Sequence, residues 1–452
     1  MENLRSINPY TGKLIENYKQ NTDTEIDKKI KNLHSGYLKW KTTTLTLRSK
    51  ILNDIANVLE QNKHAYAKLM CNEMGKPIMQ AVAEVEKCAW VCQYYAENGT
   101  QFLENKEIKT DATFSYVSYE PIGILLAVMP WNYPFWQFFR VLAPNIMLGN
   151  VVLLKHASNV SGCALALEGI FKTLNLEYNI VEVLLASSNR MESVIKNPLV
   201  KAVTLTGSEK AGSIVAATAA KDIKKSVLEL GGSNAAIILK DADLKKYIST
   251  IAWSRFMNTG QSCIAGKRFL VQEKIYDTFI EMLKKEVANY TSGNPAEETI
   301  KIGTMASETL AKELENQLKE SIKNGAKILM GGKREGAYFE PTLVEVNDIN
   351  VPVFEQETFG PLVAIKKFKT TDEAVMLSNF NHFGLGVSIY TDNIEVAKSL
   401  IPQLNEGAVF INELVKSDPR LPFGGVKKSG YGRELAQDGI LEFANRKTVF
   451  IK

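Results

Sequence analysis

The sequence predicts an α/β protein built on open parallel sheets, and three observations carry this prediction. Residues 25–105 place apolar side chains at helical spacing, as Ile51 and Ile55 do. Residues 122–206 then alternate short β-branched runs with helical segments, and residues 235–368 repeat that alternation. Strands separated by helices are typical of parallel sheets, because the connection between two parallel strands must cross over the sheet.

The individual elements follow from the local pattern. A period-two stretch over 112–120 predicts an exposed strand or arm, since alternate side chains of a strand point to opposite faces. Continuous apolar runs predict buried strands, and apolar residues at every third or fourth position predict helices. In chain order these are strands at 123–129 and 151–154, a helix at 161–174, strands at 180–185, 203–206 and 235–239, a helix at 243–257, a strand at 268–271, helices at 275–289 and 306–324, and strands at 362–368 and 448–451.

Composition excludes several classes of protein. The 452 residues are 45% hydrophobic and 23% charged, so the chain can bury a core without a disulfide or metal staple. The net charge is +4, with basic residues interspersed among acidic ones, and no nucleic-acid partner is expected. The most apolar run, Ile122–Pro130, is much shorter than the ~20 residues that span a bilayer, so no membrane partner is expected either.

The cysteines and histidines point to a reducing compartment and to no metal. The five cysteines are few and odd in number, which is typical of free thiols in the cytoplasm. The polar start of the chain lacks the pattern of a secretory signal, which agrees with a cytoplasmic location. The four histidines are isolated and no Cys-x-x-Cys spacing occurs, so we expect no metal site.

Cys263 differs from the other cysteines in its surroundings. Cys71, Cys88, Cys92 and Cys163 lie within helical apolar patterns, where packing explains them. Cys263 lies instead in a polar, glycine-flanked loop after a helix and before a strand. Such a loop can expose a nucleophile beside backbone N–H donors, although a packing role stays open on composition alone.

Two further polar residues stand at the ends of predicted strands. Glu229 closes an apolar strand before two glycines, where it is either a carboxylate paired with a lysine or a base with a raised pKa. Asn132 lies in the turn Val128–Pro134, where its amide could cap a helix or donate to an oxyanion.

A strand–turn–helix segment over 206–212 is a candidate seat for a pyrophosphate. It carries Gly207, Ser208 and Gly212, and it matches neither the Walker A loop nor Gly-x-Gly-x-x-Gly. A helix that begins after a strand nevertheless offers free N–H groups and a positive dipole end to an anion.

Taken together and in this order, these segments resemble the aldehyde dehydrogenase superfamily over essentially the whole chain. The matching motifs are Pro130–Pro134, the Lys155 strand end, Thr206–Gly212, Leu228–Gly232, Gly260–Cys263, Glu357–Pro361, Asn412, Pro422–Gly425 and Lys428–Arg433. The resemblance implies an α/β fold with a Rossmann-type cofactor domain, a catalytic domain and a small β arm for oligomerisation. We expect these parts at 1–111 with 121–230, at 231–412, and at 112–120 with 430–452, respectively, in a homodimer or homotetramer.

By this resemblance, Cys263 is the nucleophile that attacks an aldehyde and Glu229 is the base that hydrolyses the thioester. The Asn132 amide and the Cys263 N–H would hold the oxyanion. The residues expected at the NAD or NADP cofactor are Trp131, Lys155, Ser158, Gly207, Ser208, Gly212, Leu230, Glu357 and Phe359.

The cofactor choice is expected to depend on Ser158. NAD-restricted relatives commonly carry a glutamate at this position, which repels a 2′-phosphate, whereas Ser158 is small and neutral beside the cation Lys155. We therefore expect NADP to be accepted, with a slight preference over NAD. A plain helix-capping role for Ser158 is the alternative.

The substrate is expected to be an aldehyde with a distal carboxylate. If residues 132–140 form one helix, Asn132, Trp136 and Arg140 share a face, and Arg140 would pair with that carboxylate. A structural ion pair of Arg140 is the alternative. The chain resembles succinate-semialdehyde dehydrogenases at Arg140 and Ser417, and Ser262 and Trp136 complete the expected substrate contacts.

Two residues depart from that subfamily. Met257 stands where longer members carry a second arginine, and Ile264 replaces the second cysteine of redox-switched members. A broad-range or amino-aldehyde dehydrogenase, in which Trp136 forms an apolar or cation–π wall, remains the alternative function.

Overall fold

The computed structural model describes residues 3–452, so residues 1 and 2 of the predicted first segment lie outside the described part. The helices are α1 Asp23–Trp40, α2 Leu45–Met74, α3 Ile78–Phe102, α4 Trp136–Leu148, α5 Ser161–Thr173, α6 Met191–Lys196, α7 Glu209–Lys221, α8 Leu244–Phe256, α9 Tyr276–Ala288, α10 Glu308–Lys323, α11 Pro352–Glu355, α12 Thr371–Asn379, α13 Ile394–Leu400 and α14 Ala436–Glu442.

The strands are β1 Leu4–Ile7, β2 Leu14–Tyr18, β3 Lys106–Glu107, β4 Phe114–Pro121, β5 Ile124–Met129, β6 Val151–His156, β7 Val181–Leu184, β8 Val200–Thr206, β9 Lys225–Glu229, β10 Asn234–Ile238, β11 Gly266–Gln272, β12 Lys327–Met330, β13 Arg334–Glu335, β14 Tyr338–Phe339, β15 Thr342–Glu345, β16 Leu362–Phe368, β17 Val387–Tyr390, β18 Val409–Ile411, β19 Gly430–Tyr431 and β20 Ala444–Ile451.

The helical pattern at the start of the chain resolves into three helices. A capping box at Thr22 and Glu25 begins α1, and the Thr44 hydroxyl accepts from Leu47 N–H at the start of α2. Gly75 ends α2 in the left-handed conformation, with φ 75°. The prediction of helix over 25–105 is confirmed. The spacing of the apolar residues did not predict the two breaks, which fall at residues 41–44 and 75–77.

A six-stranded sheet holds the first half of the α/β alternation. Its order is β19-β9-β8-β5-β6-β7, and every neighbouring pair is parallel except β19 with β9. Helices cover this sheet, and the strands are apolar on both faces: β5 and β6 are buried almost throughout. The predicted parallel sheet is therefore confirmed.

A seven-stranded sheet holds the second half, in the order β12-β15-β16-β11-β10-β17-β18. Its strands pair in parallel except for β12. Separate clusters of buried apolar side chains pack on its two faces, one including Phe354 and Leu314, the other including Phe279 and Tyr247.

The period-two segment forms a small antiparallel sheet with the C-terminal strand. Phe114–Pro121 pairs along its whole length with Ala444–Ile451, and Lys106–Glu107 adds a short third strand. Within the segment 430–452, Gly430–Tyr431 instead pairs with the six-stranded sheet and residues 436–442 form α14. The boundaries of the cofactor, catalytic and arm parts stay predictions.

One expectation about local structure is wrong. Asn132 does not share a helix with Trp136 and Arg140, because α4 begins at Trp136. Prolines at 130 and 134 disfavour helical backbone before them. The free N–H groups of Phe135 and Trp136 are bound by the buried Glu84 carboxylate at 2.9 and 3.0 Å. A side chain from α3 thus caps α4, and Asn132 does not.

Candidate active site

The carboxyl ends of the parallel strands bring the predicted site residues together. Trp131 and Asn132 follow β5, Lys155 lies near the end of β6, Gly207 follows β8, and Glu229 ends β9. In open parallel sheets ligands bind at this edge, because the loops after the strands converge there. Sequence reasoning located these strand ends correctly from the apolar runs.

The loop that carries Cys263 is held in an unusual backbone conformation. Asn258 and Thr259 both adopt left-handed φ angles, 54° and 55°, and Gly260 follows at 72°. A Cβ on Gly260 would lie 2.3 Å from the Gly360 carbonyl oxygen, so the two loops touch where only glycine fits. Two left-handed non-glycine residues store strain that the surrounding contacts must hold.

Asn132 is fastened to this loop rather than to a helix. Its Nδ2 donates to the Gln261 carbonyl oxygen at 3.1 Å. The buried Asn258 side chain donates to both the Asn132 and the Gln261 carbonyls, at 2.9 and 3.1 Å. The amide that was predicted to hold an oxyanion therefore lies against the residues just before Cys263. Asn258, a residue that sequence reasoning missed, is what fixes it there.

The Cys263 thiol lies in a turn, partly exposed, whereas the other four cysteines are buried. Desolvation by burial raises the pKa of the Cys263 thiol to about 11. The positive charges of Lys267 and Arg140 lower this pKa. The predicted loop position, after a helix and before a strand, is confirmed between α8 and β11, and the role of nucleophile stays a prediction.

Glu229 is buried and its Oε1 has no hydrogen-bond partner among residues 3–452. Burial raises the pKa of this carboxyl well above its usual range, and the neighbouring Glu434 raises it further. A Cβ on Gly424 would lie 2.9 Å from Glu229 Oε1, so that glycine makes room for the carboxylate. The alternative of a lysine partner is wrong, and a raised pKa suits a base that works near neutrality.

Arg140 forms the ion pair that was the alternative to substrate binding. Its guanidinium pairs with the buried carboxylate of Glu434 and stacks 4.6 Å from the Phe423 ring centroid. Both partners are almost fully buried. The Arg140 charge also lowers the pKa of Glu229, so it contributes to the field of the site whether or not it contacts a substrate.

Trp136 and Ser417, two of the residues expected at the substrate, are in contact with each other and with a lysine. The Trp136 indole N–H donates to Ser417 Oγ at 3.0 Å. Lys87 Nζ donates to the same oxygen at 3.1 Å and lies 4.2 Å from the centroid of the Trp136 ring. Ser262, next to Cys263, is buried. Sequence reasoning missed Lys87, because it lies in an amphipathic helix pattern more than forty residues before Trp136.

Glu357 and a second missed lysine connect three loops. Lys267 is fully buried, and its Nζ donates to Glu357 Oε1 at 2.6 Å, to the Cys263 carbonyl at 3.0 Å, and to the Gly232 carbonyl. Glu357 Oε1 also accepts from the Gly232 N–H at 3.0 Å. The only sequence signal was a pair of adjacent basic residues, Lys267 and Arg268, before the apolar run of β11.

Three local contacts involve residues that are expected at a dinucleotide. The rings of Trp131 and Phe359 pack edge to face at 5.6 Å. Ser208 caps α7 by accepting from Ala211 N–H at 3.3 Å. A Cβ on Gly212 would lie 2.6 Å from Leu230, so α7 can approach the strand end only with glycine there. This arrangement fits a pyrophosphate at the start of α7.

Lys155 provides a cation without a protein partner. Burial alone lowers its pKa, and within residues 3–452 no hydrogen bond or ion pair of its ammonium is recorded. An unpaired, nearly buried cation at a strand end suits ribose hydroxyls or a phosphate. Ser158 lies three residues after Lys155, between β6 and α5, and it does not cap α5. The Gly162 and Cys163 N–H groups at the start of α5 donate instead to the Glu73 carboxylate, at 2.9 and 2.8 Å. The capping alternative for Ser158 is wrong.

No helix among the described residues is long and apolar enough to cross a membrane. Over residues 3–452, no three histidine, cysteine, aspartate or glutamate side chains are arranged to hold a metal ion.

Fold and site together define an α/β protein built on two mainly parallel sheets, with a loop cysteine and a buried carboxylate that lacks a partner for its Oε1 among residues 3–452. The model of the aldehyde dehydrogenase family matches residues 1–449, and the chain belongs to this family. It is 42% identical to a Synechocystis protein named Probable succinate-semialdehyde dehydrogenase (NADP+), and 40% identical to the Mycobacterium tuberculosis succinate-semialdehyde dehydrogenase (NADP+) 1. Each alignment covers 99% of both chains.

Solved structures agree with this membership. The succinic semialdehyde dehydrogenase of Streptococcus pyogenes, in complex with NADP+, superposes with a TM-score of 0.96 at 35% identity and covers 99% of both chains. The lactaldehyde dehydrogenase of Escherichia coli superposes with the same TM-score at 29% identity, covering all of this chain and 96% of its own. The predicted family and fold class are confirmed.

Proposed function

We propose that this enzyme oxidises succinic semialdehyde to succinate with NADP as the oxidant, and that NAD is accepted less well. The names of the Synechocystis, Mycobacterium and Streptococcus relatives support the substrate and the cofactor. The observation that carries the proposed reaction is the Asn132 amide fastened to the loop of Cys263, together with the buried Glu229 carboxylate, whose Oε1 has no partner among residues 3–452. The hydrogen-bonded pair of Trp136 and Ser417 supports a polar substrate.

In the proposed reaction the Cys263 sulfur attacks the aldehyde carbon. The oxyanion that forms is held by the Asn132 amide and the Cys263 N–H, a type of donor whose loss typically costs about 10²–10³ in rate. The nearby charges of Lys267 and Arg140 favour the thiolate over the buried thiol. The hydrogen bonds of the Asn258 side chain to the Asn132 and Gln261 carbonyls fix the position of the Asn132 amide relative to the Cys263 loop.

Glu229 completes the reaction as the base that removes a proton from water, which then hydrolyses the thioester. Its raised pKa and its unbonded Oε1 support this role, since a carboxylate oxygen with a raised pKa and no partner can accept a proton from water. In total, one aldehyde, one water and one NADP+ give one carboxylic acid, one NADPH and one proton.

The cofactor is proposed to lie along Trp131, Phe359, Glu357, Leu230 and the start of α7. When bound, it supplies the nicotinamide ring that accepts hydride. Glu357 would hold the nicotinamide ribose, with its orientation set by Lys267 and the Gly232 N–H.

The 2′-phosphate of NADP is proposed to lie between Lys155 and Ser158. Lys155 is a cation without a partner, and the small neutral Ser158 leaves space where an acid would repel the phosphate.

A cationic amino-aldehyde is a poorer fit than an anionic aldehyde. The face of Trp136 that could have received a cation already carries Lys87, 4.2 Å from the ring centroid. Glu434, the acid nearest to Arg140 one turn further along α4, is already paired with that arginine and is not free to receive a cation.

The deciding experiment compares succinic semialdehyde with butyraldehyde, each with NADP and with NAD, by the absorbance of the reduced cofactor. We expect kcat/KM to be at least about tenfold higher for the acid-bearing aldehyde, which corresponds to about 1.4 kcal/mol. Equal values for the two aldehydes would make this enzyme a generalist and would refute the proposed substrate.

We further propose a cytoplasmic homodimer or homotetramer. The free cysteines support a reducing compartment. The small sheet of β4 and β20 exposes Phe114, Phe450 and Ile451, which supports its use as an oligomerisation arm. Light scattering that gave a monomeric mass would contradict the assembly.

A further inference from the structure

The positive charge of Arg140 is already compensated inside the protein. Its partner Glu434 is buried with it, and the pair leaves little net charge to attract an anion. A distal carboxylate that entered this site would therefore need another cation.

Lys87 is a cation whose charge has no carboxylate of its own. Over residues 3–452, none lies within ion-pair distance of its ammonium. The two acids whose charges reach it, Asp418 and Glu84, are each paired elsewhere. Asp418 is held by both nitrogens of Arg420 at 2.8 and 2.7 Å, and Glu84 is paired with the buried Lys76.

The hydroxyl of Ser417 adds a matching donor. Its oxygen accepts from Lys87 and from the Trp136 indole, which uses both acceptor positions and leaves its one hydrogen to donate. In the described part of the chain no acceptor is recorded for that hydrogen. An ammonium and a hydroxyl hydrogen side by side suit the two oxygens of a carboxylate.

Lys87 is connected to the residues around Cys263 through α4, because it lies over the ring of Trp136 at the start of that helix. Trp136 and Arg140 are one turn apart on α4 and share a face. The Arg140 charge acts on both Cys263 and Lys87, so both groups lie within electrostatic range of this arginine.

We propose that Lys87, together with the Ser417 hydroxyl, is the contact that selects aldehydes with a distal carboxylate, and that Arg140 supports it through the buried pair with Glu434. This inference rests on the proposed function, because it assumes an anionic aldehyde.

The test is the ratio of kcat/KM for succinic semialdehyde to kcat/KM for butyraldehyde. In Lys87→Met we expect this ratio to fall on the order of 30-fold, the low end for a truncated charge pair, with most of the change in the KM for succinic semialdehyde. Lys87→Arg should restore part of the ratio. Lys68→Met removes the same charge from an exposed position on the adjacent α2 and serves as the matched control.

A second readout needs no variant. Burial and the charge of Arg140 lower the pKa of Lys87 to about 8, while Cys88, Asp418 and Glu84 act in the opposite direction. The ammonium is present below that pH and lost above it, so the wild-type ratio should fall as pH rises through about 8, since kcat/KM reports the free enzyme. Effects of pH on Cys263 and Glu229 cancel in the ratio. The Lys87→Met ratio should not change with pH.

The outcomes separate the two proposals. A wild-type ratio near one refutes the proposed substrate and this inference together. A high wild-type ratio that survives in Lys87→Met, or that stays constant across pH 8 in the wild type, leaves the proposed function standing and overturns the role of Lys87. A ratio that falls in Lys87→Met and with rising pH supports the role.

Discussion

Replacing Lys267 with methionine tests how the site holds its cofactor residue and its nucleophile at once. Methionine keeps an unbranched apolar side chain of similar reach and removes the ammonium. The wild-type ammonium binds the Glu357 carboxylate at 2.6 Å, the Cys263 carbonyl at 3.0 Å and the Gly232 carbonyl. In the variant, the loops that carry Glu357, Cys263 and Gly232 lose the ammonium that connects them.

The magnitude follows from these contacts. Breaking a buried ion pair costs about 3–5 kcal/mol. The Glu357 side chain is 22% exposed, which places the loss of stability at the low end of this range, about 3 kcal/mol. For the cofactor, one hydrogen bond to a charged group is worth about 1.5–3 kcal/mol, so loss of a fixed Glu357 should weaken NADP about tenfold or more.

Cys263 should respond in a way that a purely structural lysine would not produce. The Lys267 charge opposes the rise in the pKa of this thiol, so its removal raises the pKa further and lowers the thiolate fraction at every pH below it. We therefore expect slower alkylation of Cys263 by iodoacetamide and an alkylation profile displaced to higher pH.

The assays are NADP titration by fluorescence, thermal unfolding, and iodoacetamide kinetics from pH 7 to 10. Lys274→Met, an exposed lysine just after β11, is the matched control. Unchanged NADP affinity together with an unchanged alkylation profile in folded Lys267→Met would refute the reasoning.

Three further expectations concern the reaction and its cofactor. Cys263→Ala should abolish turnover while leaving NADP binding intact, and substantial oxidation by this folded variant would remove Cys263 as nucleophile. Glu229→Gln should keep a burst of NADPH in rapid mixing and slow the steady state about 10²–10⁴-fold, the usual range for a lost base; a steady state as fast as that of the wild type would remove Glu229 from hydrolysis. Ser158→Glu should lower the NADP-to-NAD ratio of kcat/KM about tenfold or more through repulsion of the 2′-phosphate, and an unchanged ratio would exclude Ser158 from cofactor choice.

Local patterns were sufficient for most of the fold. The apolar runs of β5, β6 and β8 and the helical periodicities around them were visible in the sequence, because each reflects burial on a fixed period. The start of α4 was not, because a carboxylate 51 residues earlier, Glu84, binds its first N–H groups. A cap that comes from another helix leaves no local signal.

The candidate functional residues also divide into those that the local sequence reveals and those that it does not. Cys263 and Glu229 stood out because a thiol in a polar loop and an acid in an apolar strand contradict their local surroundings. Lys87 and Lys267 did not stand out as functional, since one fits an amphipathic helix and the other lies in a strand.

The sequence by itself determined the class of fold, the strand ends at which a site can form, and the candidates for nucleophile, base and oxyanion donor. Only the tertiary structure decided which charged side chains are paired and with which partners. Arg140 is compensated by Glu434, from the other end of the chain, while Lys87 is left unpaired and Lys267 joins three loops. The reason is physical: the effect of a buried charge depends on which partners share its low-dielectric surroundings, and chain folding, not sequence proximity, brings those partners within a few ångströms.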